Sequence, residues 1–330
     1  MTERSGGSGL GALRVLPAIV GPTGAGKSAL AMALAREVGA AIVSADSRQV
    51  YRGFDVGTAK PTPAERAEVP HHGLDVAEPT ERWSAARWAD DCVGWVAACD
   101  AAGTPPLLVG GTGLYLRVLS GAFWREPPLA PDRRAALGGF LEALPPAELH
   151  RWALALDPAR ASLGRTQLLR AVEVALLTGE RLSRWHQRDA EPPRFALRYL
   201  VVDPGPVLGA RIERRVDAML GAGWLDEVRV LALRVPADAP AWNASGYATW
   251  RDHLRGELPF AAARARVVTV TRQYAKRQRT WFRHQLAGAS VLRLNPDAPD
   301  ALGAARAWWR GADVPALDPH PYAPAREDAA

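Results

Sequence analysis

A chain of 330 residues, 48% hydrophobic and 23% charged, has the balance of a globular protein and room for one large domain or two smaller ones. No apolar run nears the ~18 residues of a membrane span, and residues 1–11 are Gly/Ser-rich without the apolar stretch of a signal peptide, so a cytoplasmic protein is expected. The net charge of +6 favours a polyanionic partner.

In chain order, residues 16–20 read as a buried strand, followed by a glycine loop and a helix over 29–38. A second apolar run over 40–44 ends at Asp46, a short segment follows at 71–76, and 83–99 has helical periodicity. Cys92 and Cys99 fall in that helix, too far apart along it for a disulfide, and are expected in the core. Another buried strand at 107–109 is closed by Gly110-Gly111-Thr112-Gly113, with a helix from 114 onward. This alternation predicts a parallel α/β sheet flanked by helices, of the P-loop NTPase type.

Between 123 and 189 the strand signal stops. Proline-rich turns and helical stretches, one over 167–177, predict a helical insertion. Residues 198–202 return to the sheet. The remainder reads as helical, with helices over 211–220 and 262–286. The expected organisation is a tail at 1–12, a catalytic core at 13–122 and 190–312, the insertion at 123–189, and a disordered tail at 313–330.

The chain holds 3 lysines against 38 arginines. Lys27, Lys60 and Lys276 each sit in a dense polar motif, where a compact ammonium differs from a planar guanidinium. Lys27 ends Gly21-Pro22-Thr23-Gly24-Ala25-Gly26-Lys27-Ser28, which lies between a strand and a helix and matches the P-loop pattern. Its amides and the helix N-terminus suit a diphosphate; Lys27 would neutralise phosphate oxygens and Ser28 would ligate Mg²⁺. The loop alone fits kinases and other diphosphate users. No base-reading Asn-Lys-x-Asp of a GTPase is present, because neither Asn243 nor Asn295 adjoins a lysine.

Asp46 begins Asp46-Ser47-Arg48-Gln49-Val50-Tyr51 just beyond the second strand, where ligands of open α/β sheets sit. By itself such an aspartate is a Mg²⁺ water ligand or a helix cap more often than a general base. With Gly57-Thr58-Ala59-Lys60-Pro61, Pro70-His71-His72-x-x-Asp75-Val76, Val109-Gly110-Gly111-Thr112-Gly113-Leu114-Tyr115 and Thr271-Arg272-Gln273-Tyr274-Ala275-Lys276-Arg277-Gln278-x-Thr280-Trp281-Phe282, the chain resembles the tRNA dimethylallyltransferases over about residues 16–284.

That resemblance implies transfer of a dimethylallyl group from dimethylallyl diphosphate to N6 of adenosine at tRNA position 37. The P-loop would hold the donor's diphosphate, with Mg²⁺ as cofactor. Asp46 is implied as general base, with Thr23, Lys27 and Arg211 stabilising the leaving diphosphate and Arg215 one helical turn away. The adenosine must leave its stack to be reached. Ser47 and Gln49 offer groups for a base edge, and Arg48, Thr112 and Arg134 are expected at the tRNA. So are Thr166, Gln167 and Arg170 at the anticodon stem, although Gln167 stands where the family has an arginine. The family's Gly-Tyr-x-Glu is here Gly246-Tyr247-Ala248-Thr249.

On a helical wheel Arg272, Lys276, Arg279 and Arg283 share one side, opposite Val267, Val270, Tyr274 and Trp281, and residues 264–286 contain no acidic residue. Such a face suits an RNA backbone, and ion pairing is not expected to neutralise it. A monomer is expected. The rivals are an enzyme that prenylates free adenine nucleotides, a small-molecule kinase, and a non-catalytic RNA-binding protein with a nucleotide switch.

Overall fold

A computed structural model describes residues 13–121, 124, 127, 129–188, 191–286 and 291–311. The tails expected at 1–12 and 313–330 lie outside the described residues. Contacts separate the chain into two units, one of Met1–Ser120 with Arg194–Ala330 and one of Gly121–Pro193.

The first unit is built on a parallel sheet of β1 (Val15–Val20), β2 (Ala41–Ala45), β3 (His71–His72), β4 (Pro106–Gly110), β5 (Ala196–Val202) and β6 (Val291–Leu294), in the order β3-β2-β4-β1-β5-β6. β2 and β4 are buried along their whole length, as strands covered on both faces must be. Pro17 sits in central β1 without breaking it. The Arg14 carbonyl accepts from Ala196 of β5, so alternation turns Pro17 toward β4, and that ladder starts only at Ala18.

Helices α1 (Lys27–Val38), α2 (Pro63–Glu68), α3 (Ala85–Ala101) and α4 (Gly113–Ser120) belong to the first half of this unit. Cys92 and Cys99 are free and buried in α3. The second unit holds α5 (Pro131–Ala143), α6 (Pro146–Leu156), α7 (Arg165–Thr178) and α8 (Leu182–Trp185) around a core that includes Leu141, Leu149, Leu168 and Val172.

The first unit resumes with α9 (Leu208–Gly221), α10 (Trp224–Arg234), α11 (Tyr247–Leu254), α12 (Phe260–Gln285) and α13 (Ala301–Trp309). The last third is therefore not all helix. β6 adds a strand beside β5, and Trp308 of α13 joins the core of Ile19, Leu34 and Leu200. At four residues, β6 is too short to show a period in the sequence.

Candidate active site

β1, β2 and β4 end on the same edge of the sheet, and each delivers one turn to it. The switch in strand order around β1 leaves the crevice there. β1 runs into the P-loop. Gly21 has φ +151°, and a Cβ on it would lie 2.2 Å from the Val202 carbonyl oxygen, so only glycine lets the loop leave the sheet beside β5. Lys27 folds back, its Nζ donating to the Pro22 carbonyl at 2.8 Å. Burial pulls its pKa down to about 8; the negative charge of Asp46 works against that shift and Arg215 works with it. Ser28 is exposed in the first turn of α1.

Asp46 follows β2, and its Oδ1 accepts from the Arg48 backbone N–H at 2.8 Å. Two sequence motifs meet beside it. The Ser47 backbone N–H donates to Thr112 Oγ1 at 3.0 Å, and the Thr112 hydroxyl lies 3.3 Å from Ser47 Oγ. Around Asp46, burial pushes Tyr274 up to about 12 and raises Tyr115 as well, with the aspartate's charge adding to both shifts.

Gln49 does a different job from the one expected. Its Oε1 accepts from Ser44 Oγ at 2.9 Å, and its Nε2 donates to the Thr58 and Ala59 carbonyls at 3.2 and 3.0 Å. Both amide hydrogens are thus engaged, leaving no donor for a base edge. Gln49 is instead one of several ties on the loop of residues 54–60. Lys60, its side chain 1% exposed, donates to Asp55 at 2.6 Å, to Asp75 at 2.5 Å and to the Tyr51 carbonyl. Burial acts to raise the Asp75 pKa, but the hydrogen bonds from Lys60 and Arg66 outweigh it and hold the carboxyl below its ordinary value. Glu227 of α10 accepts from the Asp55 and Val56 N–H groups at 3.0 and 2.7 Å and from Tyr247 Oη at 2.5 Å. Gly57 lies flat on Trp224, where a Cβ would come 2.1 Å from the indole nitrogen.

Two cavities open on this edge. The larger, about 280 Å³, is lined by Thr23, Lys27, Ser28, Asp46, Lys60 and Arg215 among others; the smaller is about 50 Å³. Thr23, Asp46, Thr58 and Arg215 line both. Arg211, expected at the diphosphate, lines neither cavity. Its guanidinium donates to the Ala25 carbonyl at 3.3 Å and pairs with Asp297. One turn along α9, Arg215 lines both. Burial lowers its pKa, and Asp46 acts in the opposite direction.

The structure also corrects the reading of α12. Arg279 is held by Asp203, with Nε–Oδ2 at 2.9 Å, and Arg272 by Glu213 at 2.7 Å. The acids come from the end of β5 and from α9, so a scan of the helix alone cannot find them. Lys276 and Arg283 remain exposed without an acidic partner among the described residues. On the opposite side, Gln278 is buried; its Oε1 accepts from the Thr23 N–H and its Nε2 donates to the Gly111 carbonyl, both at 2.8 Å. Gln278 lies within the motif of residues 271–282, where the sequence alone assigns it no role. Its place at a buried position of a basic helix was the available signal.

In the second unit, Arg134 bonds Glu173 at 2.7 Å and Arg170 pairs with the same carboxylate. Gln167 accepts from the Gly164 N–H at 3.2 Å, closing the first turn of α7, while Thr166 is exposed.

The chain is similar to known proteins over most of its length. The family model for IPP transferase matches residues 49–285, and that for isopentenyl transferase matches residues 14–73. The chain is 44% identical over 294 residues to a tRNA dimethylallyltransferase of Roseiflexus sp. (strain RS-1), covering 86% of this chain and 94% of the relative. It is 43% identical over 272 residues to that of Thermosynechococcus vestitus, covering 80% and 85%. The crystal structure of the tRNA isopentenylpyrophosphate transferase of Bacillus halodurans superposes with a TM-score of 0.64 at 32% identity, over 90% of this chain and 96% of that one. A P-loop, a strand-end aspartate and a glutamine brace on one sheet edge thus coincide with a match over most of the sequence, and the chain belongs to the IPP transferase family of transferases.

Proposed function

We propose that the protein transfers a dimethylallyl group from dimethylallyl diphosphate to N6 of adenosine 37 in tRNA. One observation carries this reading: Thr23 of the P-loop, Asp46 and Arg215 form the common wall of two cavities. An anion cradle and a carboxylate base are thereby brought to one point, which a transfer between two substrates requires.

The exocyclic amine of adenine is a weak nucleophile because its lone pair is delocalised into the ring. Asp46 orients the N–H group and takes its proton as the N6–C1 bond forms. The C1–O bond of the donor breaks, and the electron pair leaves with the diphosphate. Lys27, Arg215 and the loop amides stabilise the charge gathering there, where donors held in place are worth most. The residues present also fit Mg²⁺. The Ser28 hydroxyl lies at the cavity beside Lys27, and this ion is commonly held by one or two protein oxygens plus substrate phosphates. When bound, it would supply further positive charge to the diphosphate.

Lys276 and Arg283 of α12 present positive charge to the RNA backbone, beside Ser47 and Thr112 as contacts for the extruded nucleotide. Arg134, Thr166 and Arg170 of the second unit serve the anticodon stem. Among the described residues no helix is long and apolar enough to cross a membrane. The reading has a single chain act on tRNA in the cytoplasm.

The test is incubation of the purified protein with Mg²⁺, dimethylallyl diphosphate and unmodified tRNA, followed by nucleoside mass spectrometry. An isopentenyl mass on adenosine, lost in Asp46→Ala, is expected. Modification of free AMP but not tRNA, or ATP turnover without prenyl transfer, would overturn the reading.

A further inference from the structure

The turn after β4 leaves one large apolar side chain in the open. Leu114 is 56% exposed at the start of α4, two residues beyond Thr112, whose hydroxyl meets Ser47 beside Asp46. Trp281 of α12 covers the backbone between them, where a Cβ on Gly113 would come 2.3 Å from its ring. Trp281 belongs to a stripe of α12 with Tyr274 and Arg277, at steps of three and four. Tyr274 lines the smaller cavity, and the Arg277 guanidinium sits 5.8 Å from the centre of its ring. The stripe therefore runs from the cavity to the foot of Leu114. One turn beyond Leu114, on the same exposed side of α4, Arg117 has no acidic partner among the described residues, and neither has Arg277.

We infer that Leu114 is a wedge that fills the place left in the anticodon loop when the adenosine swings in to Asp46, and that Arg117 and Arg277 hold the RNA strand beside that gap. The inference rests on the function proposed above and deepens it. An adenosine whose N6 reaches Asp46 passes Thr112. The stack it has left then lies just outside, at the rim where Leu114 stands. Extrusion costs the stacking on both faces of the base, and an unfilled gap lets the base fall back. An apolar side chain that enters between the two neighbouring bases restores contact to both and blocks the return. The cations beside it suit a strand whose phosphates flank every base. Arg277, planar and already over the Tyr274 ring, also offers a face on which a neighbouring base stacks. Leu114 lines neither cavity, so it is a positioning residue and not a catalytic one.

The experiment uses the full chain and an anticodon stem–loop RNA carrying 2-aminopurine at position 37, a base whose fluorescence stacking quenches. Saturating wild type should raise the fluorescence several-fold. Leu114→Ala should still bind the RNA, as filter binding reports, yet show less than about a third of that rise once saturated. It should also lower kcat for prenyl transfer to unmodified tRNA at least tenfold, with KM for dimethylallyl diphosphate and the melting temperature unchanged. Leu114→Met, which keeps an apolar side chain of similar reach, should restore both readings. Arg117→Gln should weaken binding, lessen its salt slope by about 1, and keep the full rise at saturation. A full rise in saturated Leu114→Ala overturns the inference and leaves the function standing, and so does a wild type that transfers the prenyl group with no rise. Loss of all RNA binding in Leu114→Ala overturns it too, because the leucine would then grip and not wedge. A wild type that transfers no prenyl group to tRNA sinks the function itself, whatever the fluorescence.

Discussion

The backbone N–H of Thr23 donates a 2.8 Å hydrogen bond to the side-chain carbonyl of Gln278, which lies 255 residues further along the chain. The Nε2 of Gln278 donates to the Gly111 carbonyl, so one buried side chain joins the P-loop to the turn after β4. Gln278→Leu would strand an N–H and a carbonyl, at about 1–3 kcal/mol for each group left buried and unpaired. The expected outcome is a lowered melting temperature together with a raised KM for the donor. Gln278→Glu keeps an acceptor for Thr23 but brings negative charge to the diphosphate site, so it should damage donor KM more than it damages stability. Thermal melts and steady-state kinetics on both variants check this; equal behaviour would refute the bracing role.

Lys27 gives a pH dependence with a definite sign. Its native pKa is about 8, against 10.5 for an unperturbed lysine. Between those values the unfolded chain retains a proton that the native protein has released, so unfolding free energy rises with pH across this window. Below about pH 8 both states are protonated and the full cost of burying the charge is felt. Wild type should therefore gain stability from pH 8 to 10.5 relative to Lys27→Met. Bound pyrophosphate favours the ammonium, so pyrophosphate binding near pH ~8.5 should take up a proton. Calorimetry in two buffers of different ionisation enthalpy measures the uptake, which should disappear in Lys27→Met.

Arg211 and Arg215 are separable by mutation. Arg215 lines both cavities, whereas Arg211 is engaged by Asp297 and the Ala25 carbonyl. Arg215→Gln should reduce kcat by about 10²–10³, the loss typical of removing one donor from a transition-state charge site. Arg211→Gln should cost far less. Single-turnover measurements with saturating donor make the comparison, and the reverse order would restore Arg211 to the diphosphate.

Surface cations should divide in the same way. Lys276 has no acidic partner among the described residues, so Lys276→Gln should raise KM for tRNA, lessen its salt slope by about 1, and leave the melting temperature unchanged. Arg134 is tied to Glu173, which Arg170 also holds, so Arg134→Gln should lower the melting temperature as well. Binding titrations at several salt concentrations, with parallel melts, distinguish the two.

The sheet was legible because its strands are short apolar runs ending in motifs, and the approach of Asp46 to the P-loop followed from strand ends sharing an edge. What the chain did not disclose was partner choice. Gln49 and Gln278 both lie in polar motifs, but only folding shows that one ties the loop of 54–60 and the other ties the P-loop. Arg211 and Arg215 differ by one helical turn, which a wheel places side by side. The acids that neutralise Arg272 and Arg279 come from Glu213 and Asp203, roughly 60 to 75 residues upstream, and no local window contains both members of either pair.

Helix α12 carries Lys276 on its outward side and Gln278 on its inward side, two residues apart. No hinge lies between them, so the pair moves as one rigid rod. A tug from a nucleic acid on the outside is mechanically continuous with the cradle that grips the donor. Damage to either side of that rod will therefore register in the affinities of both substrates.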